Sequence, residues 1–320
     1  MRLACAFLAA LVVVSTAAAQ DWPAKPVRIL VPFPPGGAAD ALPRIVGEKL
    51  SARFAQPFVI ENRAGATGAI AGELLSRAEP DGYTFMSTPP APLVINPFLY
   101  TKLPYDPTQF VPVTVMASIP SVLLVHPKIQ ARSVEEFVAY ARANPGRLNY
   151  ASQGTTSVSF LTAEMFLAAA GGLKVQHIPY KGTGPALTAM LAGEADVFFD
   201  NLGTSLQHVR SGKLKALAVC GEHRHPSLPD VPAMNEIYPG FVSVAWFGLV
   251  APPRTSLAIA ERMASAVGEI LKQSDVLKRL ADLSAEPIGM PPAEMARFMR
   301  QDAQRWREAI RAAGVKPGEL

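Results

Sequence analysis

The stretch Val31–Asp40, "VPFPPGGAAD", joins a run with strand character to a run with helix character. The run "VRILVPF" on its N-terminal side is rich in β-branched residues, whereas "ADALPRIVGEKL" repeats its apolar residues at helical spacing. Glycines at 36 and 37 remove Cβ atoms and permit backbone conformations with positive φ. This turn therefore predicts a helix start whose backbone amides are open to close approach by another group.

The first residues have the composition of a secretory signal. Arg2 precedes an apolar run over residues 3–14, and three alanines occupy residues 17–19. The apolar run is shorter than the roughly 20 residues that a membrane span requires. We therefore expect residues 1–19 to be a signal peptide that is cleaved after Ala19, and the mature protein to be soluble and periplasmic.

The charge of the chain argues against a nucleic-acid-binding protein. The formal net charge is +4 from 30 Lys+Arg and 26 Asp+Glu, and removal of Arg2 leaves 29 − 26 = +3. The basic residues are scattered, so we expect no nucleic-acid partner.

Cys5 lies in the signal, which leaves Cys220 without a disulfide partner, and its apolar neighbours predict a buried thiol. A chain of 320 residues is long enough for two lobes.

Strand-like and helical runs alternate through most of the chain. This alternation predicts an α/β protein with mostly parallel sheets and helices on their faces. The runs "VPVTVMAS" and "SVLLVH" are interpreted as two strands, separated at Ile119 and Pro120. Ser133 and Glu136 predict a capping box for a helix over 134–143. Two helices are expected near the C-terminus, over 257–271 and 291–313.

Glycine and hydroxyl residues gather at three turns between a strand and a helix. These turns are "VPFPPGGAAD", "NYASQGTTSVSFLTAEM" and "YKGTGPALTAM". A helix start has unpaired N–H groups and a partial positive charge, so it can bind a carboxylate or phosphate without help from Lys or Arg. A plain turn is the alternative for the first of them. Asp40 is expected to cap amides there and orient the loop.

The second turn offers several hydroxyl donors, namely Ser152, Thr155, Thr156, Ser157 and Ser159. One or more of them can act only as a helix cap. Charge-assisted hydrogen bonds contribute about 1.5–3 kcal/mol each. Micromolar binding requires about 8 kcal/mol, so several neutral donors can hold an anion reversibly.

Motifs of enzymes, nucleotide sites and metal sites are absent from the sequence. The chain has no G-x-G-x-x-G, no G-x-x-x-x-G-K-[ST], no G-x-S-x-G, no H-E-x-x-H and no C-x-x-C. His223 and His225 have no further clustered ligands, so a solvated loop is the interpretation. We expect no catalysis, no metal and no cofactor.

Many ordered motifs resemble one family, the Bug-type periplasmic receptors of tripartite tricarboxylate transporters. They run from Trp22 almost to the C-terminus and include "WPAKPVRILVPFPPGGAAD", "VIENRAGATGAIA", "PDGYT", "INPFLY", "LPYDP", "LNYAS", "IPYKG", "GKLKALAV", "LPDVPAMNE" and "WFGLVAP". The resemblance implies the type II periplasmic-binding-protein fold, in which two crossover strands join two α/β lobes. It implies lobe 1 over residues 20–118 plus 246–320 and lobe 2 over 119–245.

The resemblance also implies a function and a site. The protein would capture a small organic carboxylate between its lobes, as an expected monomer, and deliver it to membrane transporter subunits. Presentation of the bound acid to a membrane sensor kinase is the alternative. The ligand-binding residues carried over from the family pattern are Pro35, Gly36, Gly37, Asp40, Thr88, Asn96, Ser152, Gly154, Thr155, Ser157, Tyr180, Lys181 and Asp200.

Two departures from the family pattern affect the expected ligand. Thr88 and Pro89 stand where relatives have Gly and Thr, and Thr156 and Phe160 replace a glycine and a histidine. Fewer donors and added bulk favour a partly apolar or aromatic acid, with a stiffened loop and core packing by Phe160 as the alternatives. For Lys181, contact with the ligand and extension into solvent both stay open.

Overall fold

The computed structural model describes residues 22–318, so the signal predicted at residues 1–19 lies outside the described residues. The strands are β1 Val27–Val31, β2 Phe58–Asn62, β3 Thr84–Thr88, β4 Val111–Val125, β5 Asn149–Ser152, β6 Gln176–Pro179, β7 Val197–Asn201, β8 Lys215–Val219, β9 Val244–Ala251 and β10 Glu286–Pro287. The helices are α1 Ala38–Phe54, α2 Ala69–Ser76, α3 Asn96–Leu99, α4 Val134–Ala143, α5 Val158–Ala169, α6 Thr183–Ala192, α7 Leu202–Arg210, α8 Met234–Ile237, α9 Leu257–Ile270, α10 Ser274–Asp282 and α11 Pro292–Ala312.

The strands form two halves of a continuous, mixed sheet in the order β2-β1-β3-β9-β4-β7-β5-β6. In each half three strands pair in parallel, with β1 between β2 and β3 in one lobe and β5 between β6 and β7 in the other. The pairs that involve β4 and β9 are antiparallel. The expected α/β architecture of two lobes joined by two crossover strands is confirmed, and its parallel part is limited to these three-strand cores.

Strand β4 corrects the expectation of two separate strands in this region. It runs without a break through Pro120 and belongs to both lobes. Up to Pro120 it pairs with β9, and from Ser121 onward it pairs with β7 and β8. Proline lacks an N–H group, but at residue 120 the strand changes partners. The next residue, Ser121, donates its N–H to Ser243 O at 3.0 Å, so the ladder resumes at once.

The predicted helices are present, with small shifts at their ends. Helix α4 has the bounds that the sequence predicts, and Ser133 Oγ accepts the N–H of Glu136 at 3.2 Å. In a capping box Glu136 would accept the N–H of the N-cap residue, Ser133. Here its Oε2 accepts the N–H of the preceding residue, Arg132, at 2.7 Å. Helices α7 and α10 and a π-helical turn over Ala91–Ile95 were not predicted.

Helix α11 packs against the crossover strand β4, the π-helical turn over Ala91–Ile95 and helix α5. Its apolar stripe is buried at Met295, Trp306 and Ile310, which confirms the core interpretation of this stripe. Trp246 of β9 and Trp306 both donate their indole N–H to Asp302 Oδ2, at 2.7 and 3.0 Å. Within residues 22–318 no helix is both long and apolar enough to cross a membrane.

Candidate functional site

Helix starts from both lobes converge on one narrow space between the lobes. Gly37 and Ala39 at the start of α1 face Ser157 and Val158 at the start of α5. The starts of α6 and α7 complete the wall through Thr183 and Asn201. All three predicted turns therefore share one hollow, and a fourth helix start joins them. The unpaired N–H groups and the partial positive charges of helix starts favour an anion in such a space.

We call this space the inner chamber and define it by its lining residues. They are Phe33, Pro34, Gly37, Ala39, Pro89, Ala91, Gln153, Ser157, Val158, Thr183, Asn201, Ala245 and Phe247. Among the described residues, no acidic or basic side chain lines it. Its free volume, measured as the space open to the centre of a water molecule, is ≈ 30 Å³. This small free volume shows that the lobes are close together here.

The α1 turn is held by a buried carboxylate. Gly36 has φ +104°, which only glycine adopts freely, and both Pro35 and Gly36 are exposed rather than lining the inner chamber. Asp40 accepts from Arg44 Nε at 2.9 and 3.0 Å and from Asn62 Nδ2 at 2.8 Å. Asn62 also donates to Phe33 O at 2.9 Å, so these side chains fix both ends of the turn.

Electrostatics at Asp40 favour its ionised form. Burial by itself raises the pKa of the Asp40 carboxyl, but hydrogen bonds from Arg44, Asn62 and the Gly36 amide outweigh burial and lower it. The charge is neutralised by Arg44 at 2.8 Å. Asp40 thus orients the loop, but the expected side-chain cap of the α1 amides is wrong, because Arg44 and Asn62 occupy its oxygens.

Two serine hydroxyls hold the turn before α5. Ser157 Oγ donates to Gly154 O at 2.7 Å and accepts the N–H of Phe160 at 3.2 Å, so it is the N-cap and also lines the inner chamber. Ser152 is buried, and its Oγ lies 2.7 Å from His177 Nε2. Ser152 therefore supports the turn from below, while Ser157 faces the chamber.

His177 forms the base of this turn. Its ring stacks on Tyr150 at 4.8 Å and packs on Phe160 at 4.7 Å. Burial lowers the pKa of His177 to about 4, so the imidazole is neutral at pH 7. Phe160 is buried in the same stack, which supports the core-packing interpretation of this departure from the family pattern.

Gln153 is the polar side chain that sequence reasoning missed at the centre of the site. Its Nε2 donates to Thr183 Oγ1 and to Asp200 Oδ1, both at 2.9 Å. Asp200 is fully buried beneath it and also accepts from Thr204 at 2.7 Å and Ser205 at 2.5 Å. Burial raises the pKa of Asp200, against these hydrogen bonds. Asp200 thus positions Gln153, and Gln153 stands between it and the chamber.

A wider space, the outer chamber, adjoins the inner chamber and opens to solvent. It is lined by Pro32, Phe33, Pro34, Ala64, Gly65, Ala66, Thr67, Ile70, Gln153, Gly154, Thr155, Pro179, Tyr180 and Lys181. Water centres can move through ≈ 480 Å³ of it. Lys181 is exposed there and, among the described residues, has no carboxylate within ion-pair distance. Gly154, Thr155, Tyr180 and Lys181 thus lie at the mouth rather than in the inner chamber.

The proline-rich segment after β3 gives the inner chamber an apolar wall. Pro89 and Ala91 line it, and Pro89 has no N–H to donate. Thr88 is buried, and its Oγ1 donates to Pro89 O at 3.0 Å. Asn96 is also buried, behind the π-helical turn, where its Nδ2 donates to Thr67 O at 3.2 Å. Neither Thr88 nor Asn96 lines the inner chamber.

Several lining residues gave no distinct sequence signal. Gln153 lies between two predicted residues in the same turn, and Thr183 follows "YKG", so both could have been included by position. Asn201 is the last residue of β7, and neither of its chain neighbours is a glycine or a proline. Phe247 and Ala245 belong to β9 and reach the chamber only through the crossover. Among residues 22–318 no three His, Cys, Asp or Glu side chains are arranged to hold a metal ion.

Comparison with known proteins identifies the same architecture. Residues 42–315 match the tripartite tricarboxylate transporter family receptor. The solved structure of the periplasmic binding protein BugD is 30% identical with a TM-score of 0.87, and covers 92% of this chain and 100% of that one. Rpa4515 of R. palustris with adipate is 33% identical with a TM-score of 0.90, at 93% and 100% coverage.

A third similar structure carries a different acid. MatC of Rhodopseudomonas palustris with bound malate is 32% identical with a TM-score of 0.85, at 90% and 100% coverage. These neighbours are binding proteins, and they share the two-lobe fold described above. The chain therefore belongs to the receptor family of tripartite tricarboxylate transporters, of the Bug type, and is a solute-binding protein rather than an enzyme.

Proposed function

We propose that this receptor captures a small organic carboxylate between its lobes in the periplasm and delivers it to membrane subunits of a tripartite tricarboxylate transporter. The observation that carries the proposal is the convergence of four helix starts on one chamber without charged side chains. The family match and the acids named with two neighbours, adipate and malate, support it. Lobe boundaries at 118/119 and 245/246 are part of the same proposal.

The ligand's carboxylate lies in the inner chamber, where neutral groups bind it. The available donors are the amides at the start of α1 and the Thr183 hydroxyl, whose oxygen accepts from Gln153 Nε2. Asp40 holds the α1 turn, and Asp200 holds Gln153 against Thr183. Since no fixed cation pairs with the ligand there, the complex can dissociate when the lobes open.

The rest of the ligand extends from the inner chamber towards the outer one. Phe33, Pro89 and Phe247 make the inner walls largely apolar, which favours a hydrocarbon chain or ring next to the carboxylate. Lys181 at the mouth can attract a second acidic group. The expected ligands are therefore acids with an apolar middle, such as linear dicarboxylates or aromatic acids.

Calorimetric titration with adipate, malate and benzoate tests this function, with adipamide as the uncharged counterpart of adipate. At least one acid is expected to bind, and adipamide to bind far more weakly. Gln153→Ala should lower the affinity about five-fold, because Thr183 loses the hydrogen bond that orients its hydroxyl towards the carboxylate. Gln109→Ala, at an exposed glutamine, is the matched control. Equal binding of adipate and adipamide, or no binding of any acid by folded protein, would refute the proposal.

A further inference from the structure

A buried hydrogen bond links the two lobes beside the chambers. Thr156 Oγ1 of lobe 2 donates to Asn96 Oδ1 of lobe 1 at 2.6 Å. The two residues are 2% and 0% exposed, so water is excluded from the bond. Asn96 is fixed in turn by its Nδ2, which donates to Thr67 O at 3.2 Å. This bond therefore joins two rigidly held elements, the start of α3 and the turn before α5.

Neighbouring groups show that the lobes fit closely at the same place. A Cβ atom on Gly154 would lie 2.7 Å from Thr67 Oγ1, so only glycine permits this approach. Tyr100 donates its hydroxyl to Ala66 O at 2.6 Å, and burial raises the pKa of Tyr100. The contact is thus packed and polar, and the Thr156–Asn96 bond within it is buried.

Opening of the lobes must break this contact. The free volume of the inner chamber is only ≈ 30 Å³ while the contact is formed, so the chamber cannot take up a carboxylate together with the hydrocarbon next to it unless the lobes open. A hydroxyl and an amide that lose each other on opening regain hydrogen bonds from water, which makes the net contribution modest. A modest contribution is enough to shift the populations of two conformations that are close in free energy.

We propose that Thr156 and Asn96 form a lobe latch that populates the closed conformation before any ligand binds. The proposal rests on the proposed function only in that the lobes open and close. The latch makes Thr156 a positioning residue for ligand capture: it lies outside the inner chamber and acts through the opening equilibrium. Its removal should raise the open-to-closed ratio of the ligand-free protein about five-fold, the usual net effect of one hydrogen bond.

Pulsed electron paramagnetic resonance on ligand-free protein tests the latch. Spin labels are attached through Lys102→Cys in lobe 1 and Lys174→Cys in lobe 2, both exposed, and the native Cys220 is buried. Thr156→Val removes the hydroxyl at nearly constant volume, and Thr156→Ser keeps it. Thr162→Val is the matched control, since Thr162 is a buried threonine bonded to Val158 O and Ser243 Oγ within lobe 2.

Two populations of label distances are expected, with the longer one enriched about five-fold in Thr156→Val and unchanged in Thr156→Ser and Thr162→Val. Urea unfolding verifies that each variant is folded, and Thr156→Ala replaces Thr156→Val if the latter is not. Identical distance distributions in Thr156→Val and Thr162→Val would overturn the latch. An entirely open wild-type protein would overturn it as well. Neither result depends on whether a carboxylate binds, so the two proposals can fail separately.

Discussion

Replacement of Gly37 by alanine should weaken ligand binding without destabilising the fold. Gly37 has φ −108°, which alanine adopts readily. A Cβ atom at residue 37 would lie 3.3 Å from both Cβ and Oγ1 of Thr183, in the facing lobe. That distance is slightly inside ordinary van der Waals contact, so the lobes must separate by a few tenths of an ångström. We expect a cost of about 1 kcal/mol in the closed conformation, at the low end for overpacking, and hence about five-fold weaker binding.

Gly36→Ala is the matched comparison. No heavy atom of the described residues lies within 4 Å of a Cβ at residue 36, but its φ of +104° is unfavourable for alanine. This variant should lose about 1–3 kcal/mol of unfolding free energy through backbone strain. Urea unfolding without ligand and calorimetric titration with the acid that binds give both quantities for each variant. If Gly37→Ala loses as much stability as Gly36→Ala, or binds like the wild type, the steric reasoning is wrong.

Two further predictions concern charge and pH. Arg44→Gln should lower the unfolding free energy by about 1 kcal/mol at pH 7, since Arg44 is half-exposed and its ion pair with Asp40 is partly screened. The lowered pKa of Asp40 means that this contribution is complete above pH 3.8 and is lost below it, so urea unfolding of wild type and variant should converge at low pH. His177 has a pKa of about 4 when folded and 6.5 otherwise, so its contribution to stability is complete above pH 6.5 and is lost as the pH falls towards 4. His177→Gln should flatten the fall of unfolding free energy in that window, and an unchanged slope would exclude His177 as its source.

The fold was predictable where the sequence carries periodic or punctuating signals. The bounds of α4 follow from Ser133 and the apolar spacing, and the β/α alternation predicts sheets with helices on their faces, whereas the two lobes were implied by the family resemblance. Continuity of β4 was not predictable, because Pro120 usually ends a strand. Pro120 is tolerated within β4 because the strand changes its pairing there from β9 to β7.

The site was predictable to the level of its turns but not of its individual contacts. Glycines and hydroxyls mark the starts of α1, α5 and α6, which do meet. Whether a polar residue faces the ligand or supports a neighbour depends on tertiary packing. Asp200, Asn96 and the Gln153 amide nitrogen are all satisfied by other groups of the protein, and of the three only Gln153 lines the inner chamber. Such roles follow from distances that spacing along the chain does not determine.

The passage of β4 through both sheets limits how this protein can be re-engineered. Exchange of a whole lobe with that of a relative would join two half-strands of different origin in the middle of two hydrogen-bonded ladders. The two half-strands would be joined at Pro120. Because proline has no N–H, a hydrogen bond lost through misalignment there could not be replaced by this residue. New ligand preferences are therefore better introduced by grafting the four helix-start turns onto an intact chain.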